Sequence, residues 1–450
     1  MLRKNALKIF VFFLIALTFQ SCSSKKKNKR VVIWTNNSEL VQYIELFNAT
    51  HETKAVLVYK ENPAESLPPQ KNELLPDIVI APYLKNRETS KNFESLDFLF
   101  DRKYLKADDF YSGLLKYGDI FFTIRLLPVS FNLPAIIFSK ENRKFVQNDY
   151  TLTPENIFEI SKNYTQRNSK GKLTKIGFSP LSSDDFIYTI SRMKNTEYKE
   201  SKKHLFTYNK ENLSLSVDYL AKMTMLDSLS IAESNDFVYK YLSEVDTKRV
   251  LHERTLFAYT VSNEFFNLPP EQISKIDFRW FEDAGLIPVE DSIITMGISK
   301  TVSNFQESIE FISWFYDTDT QKKFLELKNN LTSDRIKFGI AGGFSAIKAV
   351  NEQVLPTYYK NLLSNIPKQG SIRLPDPKPV CWNEIKTEVI IPYIKESILS
   401  CTTEKDSETK KIKVTQNPVK SVEERFSAWR KQNPEIKYIA LIFFEILKVF

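Results

Sequence analysis

The residues that could do chemistry in this sequence form few of the constellations that enzymes use. Asp108-Asp109 and Asp184-Asp185 are carboxylate pairs. Neighbours on a chain rarely face each other across a substrate as acid and base, so neither makes a glycosidase pair. His51, His204 and His252 are scattered and unsuited to a histidine metal site, and there is no His-Glu-x-x-His run. There is no Gly-x-Ser-x-Gly elbow and no phosphate loop, and only 10 glycines in 450 residues from which to build one. Cys22, Cys381 and Cys401 are too few for a disulfide scaffold. Cys381 and Cys401 would pair in an oxidising compartment only if their Cα atoms lie close enough, which spacing does not decide. No cofactor and no metal is expected.

Composition bounds the rest. The chain is 42% hydrophobic and 13% aromatic, enough for a large core and too much for wholesale disorder. Its length suits two or three domains. The net charge of +8 is concentrated at the start, where Arg3, Lys4, Lys8, Lys25, Lys26, Lys27, Lys29 and Arg30 meet no acid. The remainder is balanced, so the charge is no argument for a nucleic-acid partner, and none is expected.

Residues 1–21 combine basic residues with an apolar run from Ile9 to Phe19, the layout of a signal peptide and too short to span a bilayer. The run ends in Phe19-Gln20-Ser21-Cys22, which resembles a bacterial lipobox, although Phe19 and Gln20 depart from its usual residues. That resemblance implies a lipid-anchored, extracytoplasmic protein acylated at Cys22, with 22–30 as a basic tether resting near the membrane surface. Export argues against nucleotide- or nicotinamide-driven chemistry.

The body alternates strand and helix patterns, which predicts an α/β fold. Val31 to Trp34 is a strand, Glu39 to Asn48 has helical spacing, and Lys54 to Tyr59 and Pro76 to Ala81 are further strands. Ligands in such parallel sheets sit beyond the carboxyl ends of strands, here Trp34 to Ser38 and Ala81 to Leu84. Leu126 to Phe138 is apolar but carries Pro128 and Pro134, so it reads as an extended crossing. Thr153-Pro154 starts a helix, and another begins at Phe186 after Ser179 to Asp185. Ile293 to Ser299 is a second crossing, Ser303 caps a helix through Gln321, and Gly339 to Ser345 is a loop. Trp314 lies mid-helix and reads as core; Trp280 is unassigned. The absence of repeats and long linkers between 31 and 400 favours two lobes joined by several passes.

In order and spacing, VVIWTNNSELVQYIELFN, PDIVIAPYL, PVSFNLPAIIFSKEN and IITMGISKTVSNFQESIEFISWFYD resemble the family 1 extracellular solute-binding proteins of ABC transporters, which include maltodextrin binders. IRLPDPKPVCWNEIKTEVIIPYI is similar to that family's late Trp-bearing helix start. The resemblance implies a two-lobe periplasmic-binding-protein-like fold of type II. Lobe one would take 31–132 and 296–337, lobe two 133–295 and 338–400, with a C-terminal helical extension at 401–450. It also implies lobe closure on a solute and a transporter permease as partner. Carried over by position, Trp34, Asn36, Asn37, Ser38, Glu39 and Tyr83 would line lobe one. Asn132 would sit in the first crossing. Ser182, Asp184, Asp185, Tyr259, Ser262 and Trp382 would line lobe two. Aromatic faces and amides suit a sugar, whose C–H face stacks and whose hydroxyls need partners. Sugar is therefore the expected ligand class; Asp184, Asp185 and Glu39 would suit a cation, so a peptide or polyamine stays open. The same residues also have structural readings: Trp34, Tyr83 and Tyr259 as packing, Asn36, Ser38, Asp184 and Asp185 as helix caps, and Trp382 as a pocket wall.

Two further function classes stay open. One is a surface adhesin or sensor on the same fold, and the other an exported carbohydrate-active enzyme. The apolar tail Tyr438 to Phe450 is too short to span a membrane and suits a docked terminal helix.

Overall fold

Every residue of the first strand after Arg30 is buried, and alternation sends its side chains to two different cores. The computed structural model describes residues 30–146, 150–201, 204–225, 229–329, 337–405 and 412–434. The leader with Cys22 and the tail 438–450 lie outside them. In β1 (Arg30–Thr35), Val31 and Ile33 enter the main core, while Val32 and Trp34 enter a smaller cluster behind the sheet. The parallel strand β3 (Ile78–Ala81) divides in the same way, as period-2 geometry requires of a sheet covered on both faces.

The fold is α/β with two lobes. Lobe one holds a six-stranded sheet. In it β1 pairs in parallel with β2 (Lys54–Tyr59) and β3, and β3 pairs antiparallel with a strand that returns much later, Ile294–Ile298. That returning strand pairs with β4 (Leu127–Phe131), which pairs with the edge strand Phe344–Ser345. Lobe two holds a four-stranded sheet centred on β5 (Pro134–Ser139). Ala258–Val261 and Ile276–Phe281 flank β5, and Thr151–Leu152 forms the far edge. In chain order after β5, these strands are β6 (Thr151–Leu152), β7 (Ala258–Val261), β8 (Ile276–Phe281), β9 (Ile294–Ile298) and β10 (Phe344–Ser345).

The chain therefore passes between lobes at Asn132-Leu133, again between β8 and β9, and a third time after β10. Ala135 and Ile137 of β5 pack into the large cluster that both lobes share, while Ile136 and Phe138 face the core of lobe two. Trp280, unassigned from sequence, is fully buried on the shared side, and its indole N–H donates to the Asn365 carbonyl at 2.8 Å. Trp314 packs only partly buried against the core, edge-on to Phe47 at 5.0 Å.

Helix starts follow the chain's own capping chemistry. Helix α1 spans Leu40–Thr50. Thr153 and Asn156 form a reciprocal capping box for α2 (Pro154–Ser161), with proline in the first turn. Helix α3 (Asp184–Met193) starts earlier than the Phe186 expectation, and its cap is the Ser183 hydroxyl rather than either aspartate. The helix expected from Ser303 through Gln321 is two helices, α4 (Phe305–Phe315) and α5 (Thr318–Asn329).

Asp77 supplies the cap of α4 from across the sheet. Its buried carboxylate accepts from Ser303 N at 2.7 Å, Asn304 N at 3.1 Å and Val32 N at 2.9 Å.

Two expectations are corrected. Residues 338–345 do not go with lobe two, because β10 pairs with β4 in the sheet of lobe one; three glycines in this stretch disguised a strand as a loop. The extension after 400 is not helical throughout. It begins with the antiparallel hairpin Cys401–Lys405 and Ile412–Gln416, then forms α6 (Val422–Gln432), which buries Val422 and Trp429 against lobe two. Cys381 and Cys401 are both free and buried.

Asp77→Ala should destabilise the protein by about 2–3 kcal/mol, since one carboxylate serves a helix start and a strand N–H. Urea unfolding checks this; a change below about 0.5 kcal/mol, the range of ordinary surface sites, would show that water replaces the carboxylate at no cost.

Candidate functional site between the lobes

The residues carried over onto lobe one turn mostly inward. Trp34 is fully buried, donates to the Leu74 carbonyl at 3.0 Å and lies under Lys60. The Asn37 amide donates to the Ala341 carbonyl at 2.9 Å, and its oxygen accepts from Glu39 N at 3.0 Å. Glu39 is buried, accepts from Tyr43 Oη at 2.8 Å and is ion-paired with Lys328. Tyr43 Oη accepts from Ala341 N at 3.2 Å, while Lys328 donates to the Gly339 carbonyl at 2.5 Å. Trp34, Asn37 and Glu39 thus hold lobe one together, the latter two by fixing the 339–343 loop onto the start of α1. Of the remaining pair, Asn36 bonds the Glu61 carbonyl at 3.3 Å and Ser38 is exposed.

Asn132 and Ser262 form the hinge knot. Ser262 Oγ donates to Asn132 Oδ1 at 2.7 Å and accepts from Leu133 N at 3.1 Å. The Asn132 amide donates to the Gly342 carbonyl at 3.0 Å, and its own carbonyl accepts from Glu290 N at 3.0 Å. One side chain and its backbone therefore touch the second crossing, the helix after β7 and the loop before β10. These polar atoms, expected to bond ligand hydroxyls, are engaged with one another and with the backbone of the fold.

On lobe two, Ser182 Oγ donates to the Ser179 carbonyl at 2.7 Å. Asp184 pairs with Lys395 and Asp185 with Lys386, each at 2.9 Å. Trp382 is fully buried, with its ring 5.5 Å from both Tyr198 and Phe206, so it does not offer a free stacking face. Its indole N–H instead donates to Asp291 Oδ2 at 2.9 Å.

That contact leads to the centre of the site. Asp291 lies on the second crossing and is 5% exposed. Tyr188 donates to it, and Arg192 and Lys378 stand at 3.6 Å and 3.8 Å from Oδ1. Burial would raise its pKa; Arg192, Lys378 and the bonds from Tyr188 and Trp382 outweigh that and hold the carboxyl at about 2. Its neighbour Glu290 goes the other way. Burial pushes it up to about 7, with Asp291 and Asp185 adding to the rise and Arg192 and Lys386 opposing it. Tyr259 Oη bonds Thr189 at 3.0 Å and reaches Glu290 Oε1 at 3.4 Å.

Lobe one meets this cluster through Tyr83, which packs partly buried against the cores of both lobes. Its φ of +58° is unusual for a bulky residue and places the ring at the seam. Burial and then the charges of Asp291 and Glu290 raise its phenol well above the usual range. Tyr117 is raised in the same way, by burial and then Asp291. The lobes also touch where Arg87 N donates to the Glu200 carboxylate at 2.9 Å, and where burial and the charge of Glu384 raise Glu65.

The structure thus brings together Tyr83, Tyr259, Asp185 and Trp382 from the carried-over set. Sequence reasoning missed Glu290, Asp291, Tyr188, Arg192 and Lys378. The Glu290-Asp291 pair stands immediately before the crossing that had been read from Ile293 onward, and that was its only signal.

No protein-family model matches the chain, and no curated protein matches it. Solved structures do. The sugar-binding protein MalE from Xanthomonas citri aligns with TM-score 0.56 at 12% identity over 82% of this chain and 92% of that one. An ABC substrate-binding protein from Listeria monocytogenes in complex with cycloalternan aligns with TM-score 0.55 at 12% identity, covering 82% and 93%. Thiaminase I from Clostridium botulinum in complex with thiamin aligns with TM-score 0.53 at 15% identity, covering 82% and 98%. Such identities establish the two-lobe binding-protein fold and nothing finer.

Two expectations follow from the carboxylates. Asp291→Asn should cost about 3–5 kcal/mol at pH 7 by leaving Arg192 and Lys378 buried without their counter-charge, read by denaturant unfolding. Glu290 titrates with the opposite sign. Its folded pKa of about 7 exceeds the ordinary 4.5, so its contribution is fully present below pH 4.5 and is lost as pH rises toward 7. Glu290→Gln should therefore gain stability relative to wild type across that window; a pH-independent difference would contradict the burial argument.

Proposed function

We propose that this protein is an extracytoplasmic solute-binding protein that closes its two lobes on a saccharide and hands it to an ABC importer. The observation that carries the reading is the convergence, on one seam beside the hinge, of Tyr83 and Tyr117 from lobe one with Tyr259, Glu290 and Asp291 from the other side. Closure can then be driven by a solute that touches both walls. A half-titrated carboxyl such as Glu290 can either donate to or accept from a sugar hydroxyl, and the partly buried Tyr83 ring offers a face to its C–H surface. The solved relatives support the sugar class: their names describe complexes with mannotriose, cycloalternan, maltose and lacto-N-biose. The arrangement of 1–30 supports export and acylation at Cys22, with the basic tether at the membrane surface.

The thiaminase relative keeps an enzyme reading in view. The cysteine at this seam does not favour it. Burial, then Glu384 and Glu65, push the Cys381 thiol up to about 12, far from a thiolate at neutral pH.

A calorimetric screen of mono- and oligosaccharides, polyamines and peptides tests the proposal. One saccharide class should bind without turnover. Tyr83→Ala and Glu290→Gln should each weaken it on the order of ten-fold, the worth of one buried contact. Product release from a saccharide would turn the reading to an enzyme. Binding of no solute by folded protein would turn it to an adhesin or sensor. Cell fractionation of Cys22→Ala checks the anchor; the variant should leave the membrane fraction.

A further inference from the structure

A short hairpin of lobe one, Asp119–Ile120 paired with Thr123–Ile124, turns through two residues, Phe121 and Phe122. Both have positive φ, +53° and +65°. A two-residue turn of that kind ordinarily takes Asn-Gly, because a side chain at positive φ crowds its own backbone. Here two bulky rings occupy it, and they are 83% and 104% exposed. Among the described residues no other large apolar side chain is as exposed as these two. A lone exposed apolar residue needs no explanation, but an adjacent aromatic pair at the tip of a tight turn does.

The base of the hairpin is held firmly, so the tip is presented as a wedge. Ile120 packs against the cluster that contains Trp34. Leu96 N donates to the Ile124 carbonyl at 2.7 Å, and Ile124 N donates to the Asp97 carboxylate at 2.9 Å. These contacts continue to the start of β1. Phe98, next to Asp97, has its ring 5.4 Å from that of Phe305, and the neighbouring Asn304 donates to the Arg30 carbonyl at 2.9 Å. One short row of contacts thus joins the hairpin to the point where the chain leaves toward Cys22. The eight residues Cys22 to Lys29 reach at most about 28 Å when extended. Acylation at Cys22 would keep this part of lobe one close to the bilayer, and Lys25, Lys26, Lys27 and Lys29 would draw it to anionic headgroups.

We infer that Phe121 and Phe122 seat lobe one in the apolar edge of the bilayer that holds the acyl anchor. The inference rests on the acylation at Cys22 proposed above. Area favours lipid over a protein partner. Two phenylalanine rings offer on the order of 300–500 Å², well under the ~1,200 Å² at which specific protein interfaces begin. A small convex tip suits a medium that yields around it, and stable anchoring takes a second signal beside an acyl chain. The tether limits distance but not orientation, whereas the wedge fixes both. Tyr117, at the seam, lies two residues before the hairpin, so the seated wedge also sets the position of that wall of the cleft over the membrane.

The purified, processed full chain on vesicles of phosphatidylethanolamine and phosphatidylglycerol tests this. Phe122→Trp keeps an aromatic ring at the tip, and Trp34, Trp280 and Trp382 are fully buried and give a quiet background. The added fluorescence should be quenched by phosphatidylglycerol brominated on its acyl chains. That of Lys199→Trp, at an exposed position on lobe two, should not. The double variant Phe121→Ser, Phe122→Ser should fold as wild type and pass to acceptor vesicles on the order of ten-fold faster, the effect of losing two partly buried rings. Mass spectrometry reads the acyl group separately. An acylated protein whose tip indole is unquenched, or whose transfer is indifferent to the double variant, overturns the proposal and leaves the anchor. A chain without an acyl group removes the anchor; an unquenched tip on that chain removes the wedge as well, and a quenched tip keeps it. Shielding of the tip from aqueous iodide only when the importer is in the vesicles would make the pair a protein contact and overturn the lipid assignment.

Discussion

Asp291 carries a negative charge in a place almost closed to water, and the neighbouring elements are arranged around that fact. Two cations, a phenol and an indole compensate it, from α3, the third pass and the start of the Trp382 helix. A buried charge is tolerable only when paired and hydrogen-bonded. Meeting that requirement fixes where α3 ends relative to the second crossing. It also orients Trp382, whose ring then packs the aromatic cluster of lobe two rather than facing the seam.

The hinge depends on the same stretch of chain. Glu290 is bonded through its backbone to Asn132, and Asn132 in turn to Ser262 and Gly342. Movement of one lobe is therefore coupled at short range to the carboxylates of the seam. A solute that touches Tyr83 on one side and Glu290 on the other would bias a mechanical element only a few bonds away. This is a physical route for closure that requires no long chain of relayed contacts.

Much of the architecture was legible in the sequence because it rests on local rules. Short continuous apolar runs announced β1 and β3, two prolines marked the first crossing, and Thr153-Pro154 announced α2. The site was less legible. Asn37, Glu39 and Trp34 have the residue types of a binding wall, yet the same types satisfy a loop and fill a core. For Asn37 and Glu39 the outcome depends on the 339–343 loop and Lys328, roughly three hundred residues away along the chain, and for Trp34 on Leu74 and Lys60. Arg192 and Lys378 were invisible for the same reason: a cation at a helix end or in a proline-rich loop looks solvated until its partner is known. The hairpin after Cys401 was hidden by charge density, which masked the β-branched residues of CTTEK and IKVTQ.

The central claim is that a solute held at the seam draws the lobes together about the Asn132 knot. Spin labels at the exposed positions Lys91 on lobe one and Lys199 on lobe two report the distance across the mouth. Pulsed dipolar spectroscopy should show a broad, longer distribution for the free protein that collapses to a short, narrow one with a bound saccharide. A single distance, unchanged by any solute that calorimetry shows to bind, would contradict the account.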